Sequence, residues 1–256
     1  MSKTVVITGS TRGIGRGLAE QFLERGCRVV VSGRGQERVE GVVERLAERF
    51  GAHAAAGRAC DVASHDEVQA LFDHARETFE TVDVWINNAG TSLPRRPMQD
   101  HPPEALAAIV ETNILGLMYG SKVAITGMKA QGHGQVWNME GLGSDGRTIA
   151  GLTPYGCTKR AVRYVTKGLQ RDVAGTGVHV NTLSPGMVVT DLLVRDFDLR
   201  SAEWRRAKRV FNVLADEVET VVPFLVDGIL AADKPNTKVV WLSSLGVAKR
   251  FLLFPF

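Results

Sequence analysis

The sequence predicts a single-domain α/β protein built on a doubly wound parallel sheet of about seven strands, with helices on both faces. Three observations lead there. Short β-branched runs alternate with longer amphipathic stretches along the whole chain. The strand-like runs are apolar on successive residues, as in "KTVVITG" and "CRVVVSG", so both of their faces are buried. No composition break, Pro/Gly-rich linker or repeat divides the 256 residues, a length that one large α/β domain can fill.

The elements follow in order. "KTVVITG" (3–9) is a strand that runs directly into glycines. From Gly13 to Gly26, Ile14, Leu18, Phe22 and Leu23 share one helical face, and "CRVVVSG" (27–33) is a second buried strand. Ser64 to Phe79 opens with Ser64-x-x-Glu67, a capping-box signature. Its Val68, Leu71, Phe72, Ala75 and Phe79 keep the helical period. "VDVWINNAG" (82–90), "GQVWNM" (134–139) and "GVHVNTLSPG" (177–186) are further strands. Strands separated by helix-length segments imply right-handed β-α-β crossovers.

Composition removes several function classes. A net charge of +3, with its Lys and Arg spread along the chain, gives no case for nucleic acid. Cys27, Cys60 and Cys157 are odd in number and lack C-x-x-C spacing, so neither a disulfide frame nor a metal site is expected. Reduced thiols point to a cytoplasmic setting. The strand beginning at residue 4, with no basic-apolar leader before it, argues against a signal peptide. No apolar run approaches the ~18 residues of a spanning helix. The ending "FLLFPF" (251–256) suits either a buried interface or a membrane or pigment contact.

"TGSTRGIG" (8–15) sits where the first strand meets the first helix. Glycines there let backbone N–H groups approach a pyrophosphate, and the helix N-terminus favours its charge. In that position the loop marks a Rossmann-type dinucleotide site. The second strand ends in Arg34, where an NAD site usually carries a carboxylate. Arg34, with Arg12 in the glycine loop, suits a 2′-phosphate, so NADP(H) is the expected cofactor. Further on, Tyr155 and Lys159 share a helical face. A phenol beside an ammonium is a proton donor suited to carbonyl reduction, with the cation expected to lower the phenol pKa. Thr153-Pro154 reads as an N-cap followed by a first-turn proline.

Together these residues resemble the short-chain dehydrogenase/reductase family over essentially the whole chain. The matching motifs are TGSTRGIG, Asp61-Val62, NNAG (87–90), Asn113, Tyr155-x-x-x-Lys159 and SPG (184–186). The resemblance implies a cofactor site formed by Gly9, Ser10, Thr11, Arg12, Gly13, Ile14 and Gly15, with Arg34 beyond them. Asp61 and Val62 would hold the adenine. Asn87, Ala89 and Gly90 would line the ribose side, and Pro185, Gly186, Val188 and Thr190 would border the nicotinamide. Lys159 would also hold the nicotinamide ribose. Asn113 would anchor a water that refills the proton, or else be a buried asparagine satisfied locally. The family's dimers or tetramers, joined through the helices carrying Asn113 and Tyr155, imply a homo-oligomer.

One departure is plain. The family's N-x-S-S is written here as Asn138-Met139-Glu140-Gly141. Ser144, or backbone N–H groups of the glycine-rich turn, are the candidates to polarise the carbonyl. The stretches "WNMEGLGSDGR", "LSPGMVVTDLL" and "FNVLADEVETV" narrow the likeness to the chlorophyll b reductase branch. That branch implies NADPH-dependent reduction of the 7-formyl group of chlorophyll b or chlorophyllide b to hydroxymethyl. Between about 191 and 215, Trp204, Ala207, Phe211 and Leu214 share a stripe, with Arg205, Arg206 and Arg209 largely off it. This is either a substrate lid, its basic groups meeting a propionate or a membrane surface, or a surface helix. Three classes stay open: the pigment reductase, a reductase of another hydrophobic aldehyde, ketone or alcohol, and a non-catalytic scaffold.

Overall fold

The computed structural model describes residues 2–194, 200 and 202–253. β1 (Thr4–Ile7), α1 (Gly13–Glu24), β2 (Arg28–Gly33), α2 (Gln36–Phe50) and β3 (Ala55–Ala59) form the first half-unit. α3 (His65–Phe79) leads to β4 (Val84–Asn87). α4 (Pro103–Val110) and α5 (Gly116–Gln131) precede β5 (Gly134–Met139), and α6 (Thr153–Asp172) precedes β6 (Val178–Ser184). Then come β7 (Met187–Val188), α7 (Asp191–Val194), α8 (Ala202–Leu214) and β8 (Ala215–Asp216). α9 (Val218–Leu230), β9 (Lys238–Val240) and α10 (Ser244–Leu253) complete the described chain.

Seven strands pair in parallel, as expected; their order is β3-β2-β1-β4-β5-β6-β9, and β7 and β8 form a separate parallel pair. Strand geometry sends alternate side chains to opposite faces. Val5, Ile7, Val29 and Val31 pack against α1, α2 and α9 through Leu18, Phe22, Val42 and Leu225. Val6 and Val30 face the other way, onto Leu71 and Phe72 of α3 and Met128 of α5. Two cores explain why the strands are apolar at every position. From β1 the chain winds outward to β2 and β3, then returns to β4 on the other flank of β1. That reversal opens a crevice at the carboxyl ends of β1 and β4.

Local details depart from the sequence reading at the helix starts. Ser64 Oγ accepts the Glu67 N–H at 3.4 Å, but the Glu67 carboxylate takes the Asp61 N–H at 2.8 Å, so the capping box is half made. Thr153 is the first residue of α6 rather than its cap; Leu152 precedes it, and no side chain caps the end. Pro154 does lie in the first turn, where its missing N–H costs nothing. The stripe predicted from 201 is α8, while residues 195–199 and 201 of the expected lid, and 254–256 of the apolar tail, lie outside the described residues. Among the described residues, no helix is long and apolar enough to cross a membrane.

Asn87 corrects an expectation. Its Oδ1 accepts from Trp85 Nε1 at 2.8 Å, and its Nδ2 donates to Ser121 Oγ at 3.0 Å and Asn138 Oδ1 at 2.8 Å. Asn138 passes the chain on to Thr166 Oγ1 at 3.0 Å. This buried network ties β4, β5, α5 and α6 together, and it leaves Asn87 in the interior instead of along a ribose. Replacing Asn87 with alanine strands polar partners at about 1–3 kcal/mol each. A lower urea midpoint is expected, with affinity of the folded protein for the expected dinucleotide unchanged. Loss of affinity at unchanged stability would return Asn87 to the ribose.

Candidate active site

The crevice is a cleft of about 2150 Å³ running along the carboxyl edge of the sheet. At one end the loop after β1 turns through Gly9, whose φ of +64° is strained for any side chain. A Cβ there would also lie 2.9 Å from the Ala89 Cα, so the loop reaches β4 only as glycine. Gly9, Thr11, Arg12, Gly13, Ile14 and Gly15 line the cleft. α1 begins there with no side-chain cap and no acid in its first turn, leaving its positive end to the cleft. Ser10 does not join them. It is fully buried, donating to Ile7 O at 2.7 Å and accepting the Ser32 N–H at 2.9 Å, a staple between β1 and β2.

Asp61, Val62, Ala89, Gly90, Pro185, Gly186, Val188 and Thr190 all line the cleft. Arg34 lies exposed on its rim and has no ion pair among the described residues. Arg12 pairs loosely with Asp191 at 3.5 Å. Three lining residues were missed. Arg38 and Arg45 of α2 face the Arg34 end, and their separation of seven, two helical turns, could have revealed them. Asn88, the second asparagine of NNAG, donates to Thr8 O at 2.9 Å and Gly9 O at 3.0 Å, and so fixes the glycine loop from across the crevice.

The chemical end is built on α6. Lys159 is buried, donates from Nζ to Met139 O at 3.2 Å, and lies 5.8 Å from the Tyr155 ring centroid. Burial pulls the ammonium down to about 8, opposed by the charge of Glu140. Tyr155 is half-buried, and desolvation pushes its phenol up to about 12. The expected lowering of the phenol by its lysine is therefore outweighed within the chain itself, because burial penalises phenolate more than a distant cation favours it.

Asn113 occupies a π-helical turn, Glu111–Leu115, between α4 and α5. Its Oδ1 accepts the Thr91 N–H at 2.8 Å, and Nδ2 donates to Thr91 O at 2.9 Å and Thr158 Oγ1 at 3.0 Å. With both amide hydrogens spent, the side chain braces the loop after β4 against α6. It is a satisfied buried asparagine, bonded across elements and not within its own helix.

The unusual lip follows β5. Ser144 is 4 % exposed, lines the cleft, and accepts the Gly141 N–H at 3.1 Å. That N–H is thus withdrawn from polarising a carbonyl, while the Ser144 hydroxyl hydrogen has no acceptor among the described residues. A Cβ on Gly141 would lie 2.6 Å from the Tyr155 oxygen, so the phenol fills the space of the absent side chain. Leu93, Leu142, Ile149, Leu152 and Val210 give the adjoining space an apolar wall. Phe211 lines it too; Trp204 does not, packing edge-on against Phe211 at 5.9 Å. α8 runs into β8, which pairs with β7 through Met187↔Ala215 and Val188↔Asp216. Asp216 also takes Trp241 Nε1 at 2.6 Å and Arg250 Nη2 at 2.7 Å, which tethers this segment to α10.

A glycine loop, an uncapped helix start and a tyrosine beside a buried lysine in one crevice define a nucleotide-dependent oxidoreductase fold. The short chain dehydrogenase family profile matches residues 3–199, and the chain belongs to that family. It is similar to the chlorophyll(ide) b reductase NOL, chloroplastic, of Oryza sativa subsp. japonica: 42 % identical over 232 residues, 89 % of this chain and 66 % of that protein. The Arabidopsis thaliana counterpart is 42 % identical over 234 residues, 89 % of this chain and 65 % of that protein. The chain therefore spans slightly under two thirds of these relatives. Among solved structures, a gluconate 5-dehydrogenase from Burkholderia cenocepacia in complex with NADP and tartrate superposes with a TM-score of 0.81 at 27 % identity. That match covers 97 % of this chain and 96 % of the other.

Restoring a serine at the lip tests the packing. Gly141→Ser should lower NADP(H)-dependent oxidoreductase turnover by about tenfold or more, roughly 1.4 kcal/mol, because the phenol must move. A faster variant would show that the space is not limiting.

Proposed function

We propose that this chain binds NADPH and reduces the formyl group of a chlorophyll b-type macrocycle to hydroxymethyl. One observation carries the reading: the half-buried Tyr155 and the buried Lys159 line the same cleft as the glycine loop and a set of apolar side chains. The likeness to chlorophyll(ide) b reductases supports the substrate, and that to the NADP-bound gluconate 5-dehydrogenase supports the cofactor.

The residues present fit the cofactor. Gly9 to Gly15 and the uncapped α1 offer N–H groups for a pyrophosphate, and the unpaired Arg34, backed by Arg38 and Arg45, suits a 2′-phosphate. Bound there, a reduced nicotinamide supplies hydride. Tyr155 then donates its phenol proton to the carbonyl oxygen. A phenol held near 12 keeps its proton at neutral pH, which is the state that reduction needs and oxidation does not. Lys159, as ammonium, stabilises the phenolate left behind. The Ser144 hydroxyl is placed to polarise the carbonyl, and an aldehyde conjugated to a flat ring needs little further help. Phe211 and its apolar neighbours cover the ring.

The compartment expected from the cysteines, cytoplasmic, is at odds with the chloroplastic relatives. The free thiols of Cys27, Cys60 and Cys157 support only a reducing setting. Tyr164, exposed on α6, and Met118, exposed on α5, support a homo-oligomer across those helices; Leu245 and Leu252, 80 % and 82 % exposed on α10, support peripheral contact with a membrane.

Incubation with NADPH and chlorophyllide b should convert the absorption spectrum to that of the 7-hydroxymethyl product. Conversion of other hydrophobic aldehydes but not the pigment would favour the broader reductase. Tyr155→Phe should lose about a hundredfold or more of turnover and retain NADPH binding. Reduction should fall as pH rises through about 8, where Lys159 loses its proton and the phenolate its partner. Arg34→Asp should cut the preference for NADPH over NADH by about ten- to a hundredfold, as expected for a charged hydrogen bond of about 1.5–3 kcal/mol. An unchanged ratio would assign the phosphate to other arginines.

A further inference from the structure

We infer that Glu140, standing where the family has a serine, is a positioning residue whose buried carboxylate keeps Lys159 protonated, with Lys238 and Arg163 competing for its charge. The catalytic consequence rests on the proton-donor reading above; the coupling itself does not.

The carboxylate is 6 % exposed. Its residue follows Met139, whose carbonyl holds the Lys159 ammonium at 3.2 Å. The Glu140 N–H donates to Leu183 O at 2.7 Å, which locks the backbone to β6. Oε2 accepts from Lys238 Nζ of β9 at 2.9 Å, and Oε1 lies 3.8 Å from Arg163 Nε of α6. Lys159, Arg163, Lys238 and Glu140 all line the same cleft.

A carboxylate removed from water is costly unless it is paired. The turn does not require it, since the Glu140–Leu183 bond and the Gly141–Ser144 bond already fix the backbone. The carboxylate pairs with Lys238, lies near Arg163, and belongs to the residue next to the carbonyl that holds Lys159. Lys159 is the most buried of these cations, so it is the one that sheds its proton when the carboxylate is lost. The other charged groups around the site are committed elsewhere. Arg160 donates to Ser144 O at 3.1 Å, and Asp145 pairs with Arg147 at 2.6 Å. Thr91 and Asn113, facing from the loop after β4 and the π-helical turn, are uncharged, and Tyr155 is the remaining titratable group. Burial lowers Lys159, and among the charged groups Glu140 opposes it.

The two partners of Glu140 give the proposal a signature that a purely structural role lacks. Removing Glu140 should lower the Lys159 midpoint; removing Lys238 frees the carboxylate for Lys159 and should raise it. The measurement is a ¹³Cε lysine NMR titration of the full chain, with the Lys159 signal assigned by its loss in Lys159→Met. Glu140→Gln should move the midpoint down by about one pH unit or more. Glu140→Asp should recover most of that, and Lys238→Met should shift it upward. The alkaline limb of NADPH-driven turnover should follow in the same directions. An unmoved midpoint in Glu140→Gln, or a lowered one in Lys238→Met, overturns the proposal. If Glu140→Gln does not fold, Glu140→Ser, the family's own residue, takes its place: a lowered midpoint supports the proposal, and an unmoved one overturns it. Midpoints that move as expected in a protein that reduces no pigment would leave this coupling standing and remove the proposed substrate.

Discussion

Holding an ammonium out of water is expensive, and much of the chemical end of this protein is arranged around meeting that cost at Lys159. The Met139 carbonyl supplies one oxygen, at 3.2 Å, and the Glu140 carboxylate supplies compensating charge from the next residue. Both come from the end of β5, so the register of β5 in the sheet decides whether the lysine on α6 can be buried at all. The pairing of Asn138 with Thr182 and Met139 with Leu183 fixes that register. Asn113 fixes the other component, holding α6 through Thr158 while it grips the loop after β4. A shift in any of these elements would leave a charge without an answer.

The same economy governs the nucleotide end. A doubly wound sheet must reverse direction once, and here it does so between β1 and β4. The reversal brings Gly9 against Ala89 and lets Asn88 hold the glycine loop through two carbonyls. The cradle is therefore preorganised by the sheet, with Ser10 spent on stapling β1 to β2 beneath it. Preorganised N–H groups lose less entropy on binding than groups that must be gathered.

Most of the architecture was legible because apolar periodicity and glycine punctuation are local signals. The strands around Val5, Val30 and Val136 and the helices around Leu18 and Leu71 could be read from a few neighbours each. The misread residues are polar ones whose partners lie far away in sequence. Ser10 meets Ser32, Asn87 meets Ser121 and Asn138, and Asn113 meets Thr91 and Thr158. A motif places such residues near a cleft, but only the three-dimensional partner decides which way each side chain turns. Tyr155 is a subtler case. Its position was readable from the spacing to Lys159, whereas its acidity depends on how deeply the whole fold encloses the oxygen. Glu140 stood out as a departure from pattern, and its meaning needed Lys238, nearly a hundred residues on.

The small β7–β8 ladder joins two things that the sequence keeps apart. Val188 lines the cleft, and its strand partner Asp216 lies two residues beyond the helix that carries Phe211. Under the proposed function the crevice takes two occupants, both beside this one stretch of backbone, and whichever stiffens it first would lighten the entropic cost for the second. Thermodynamic reciprocity then requires each to tighten the other's dissociation constant by the same factor.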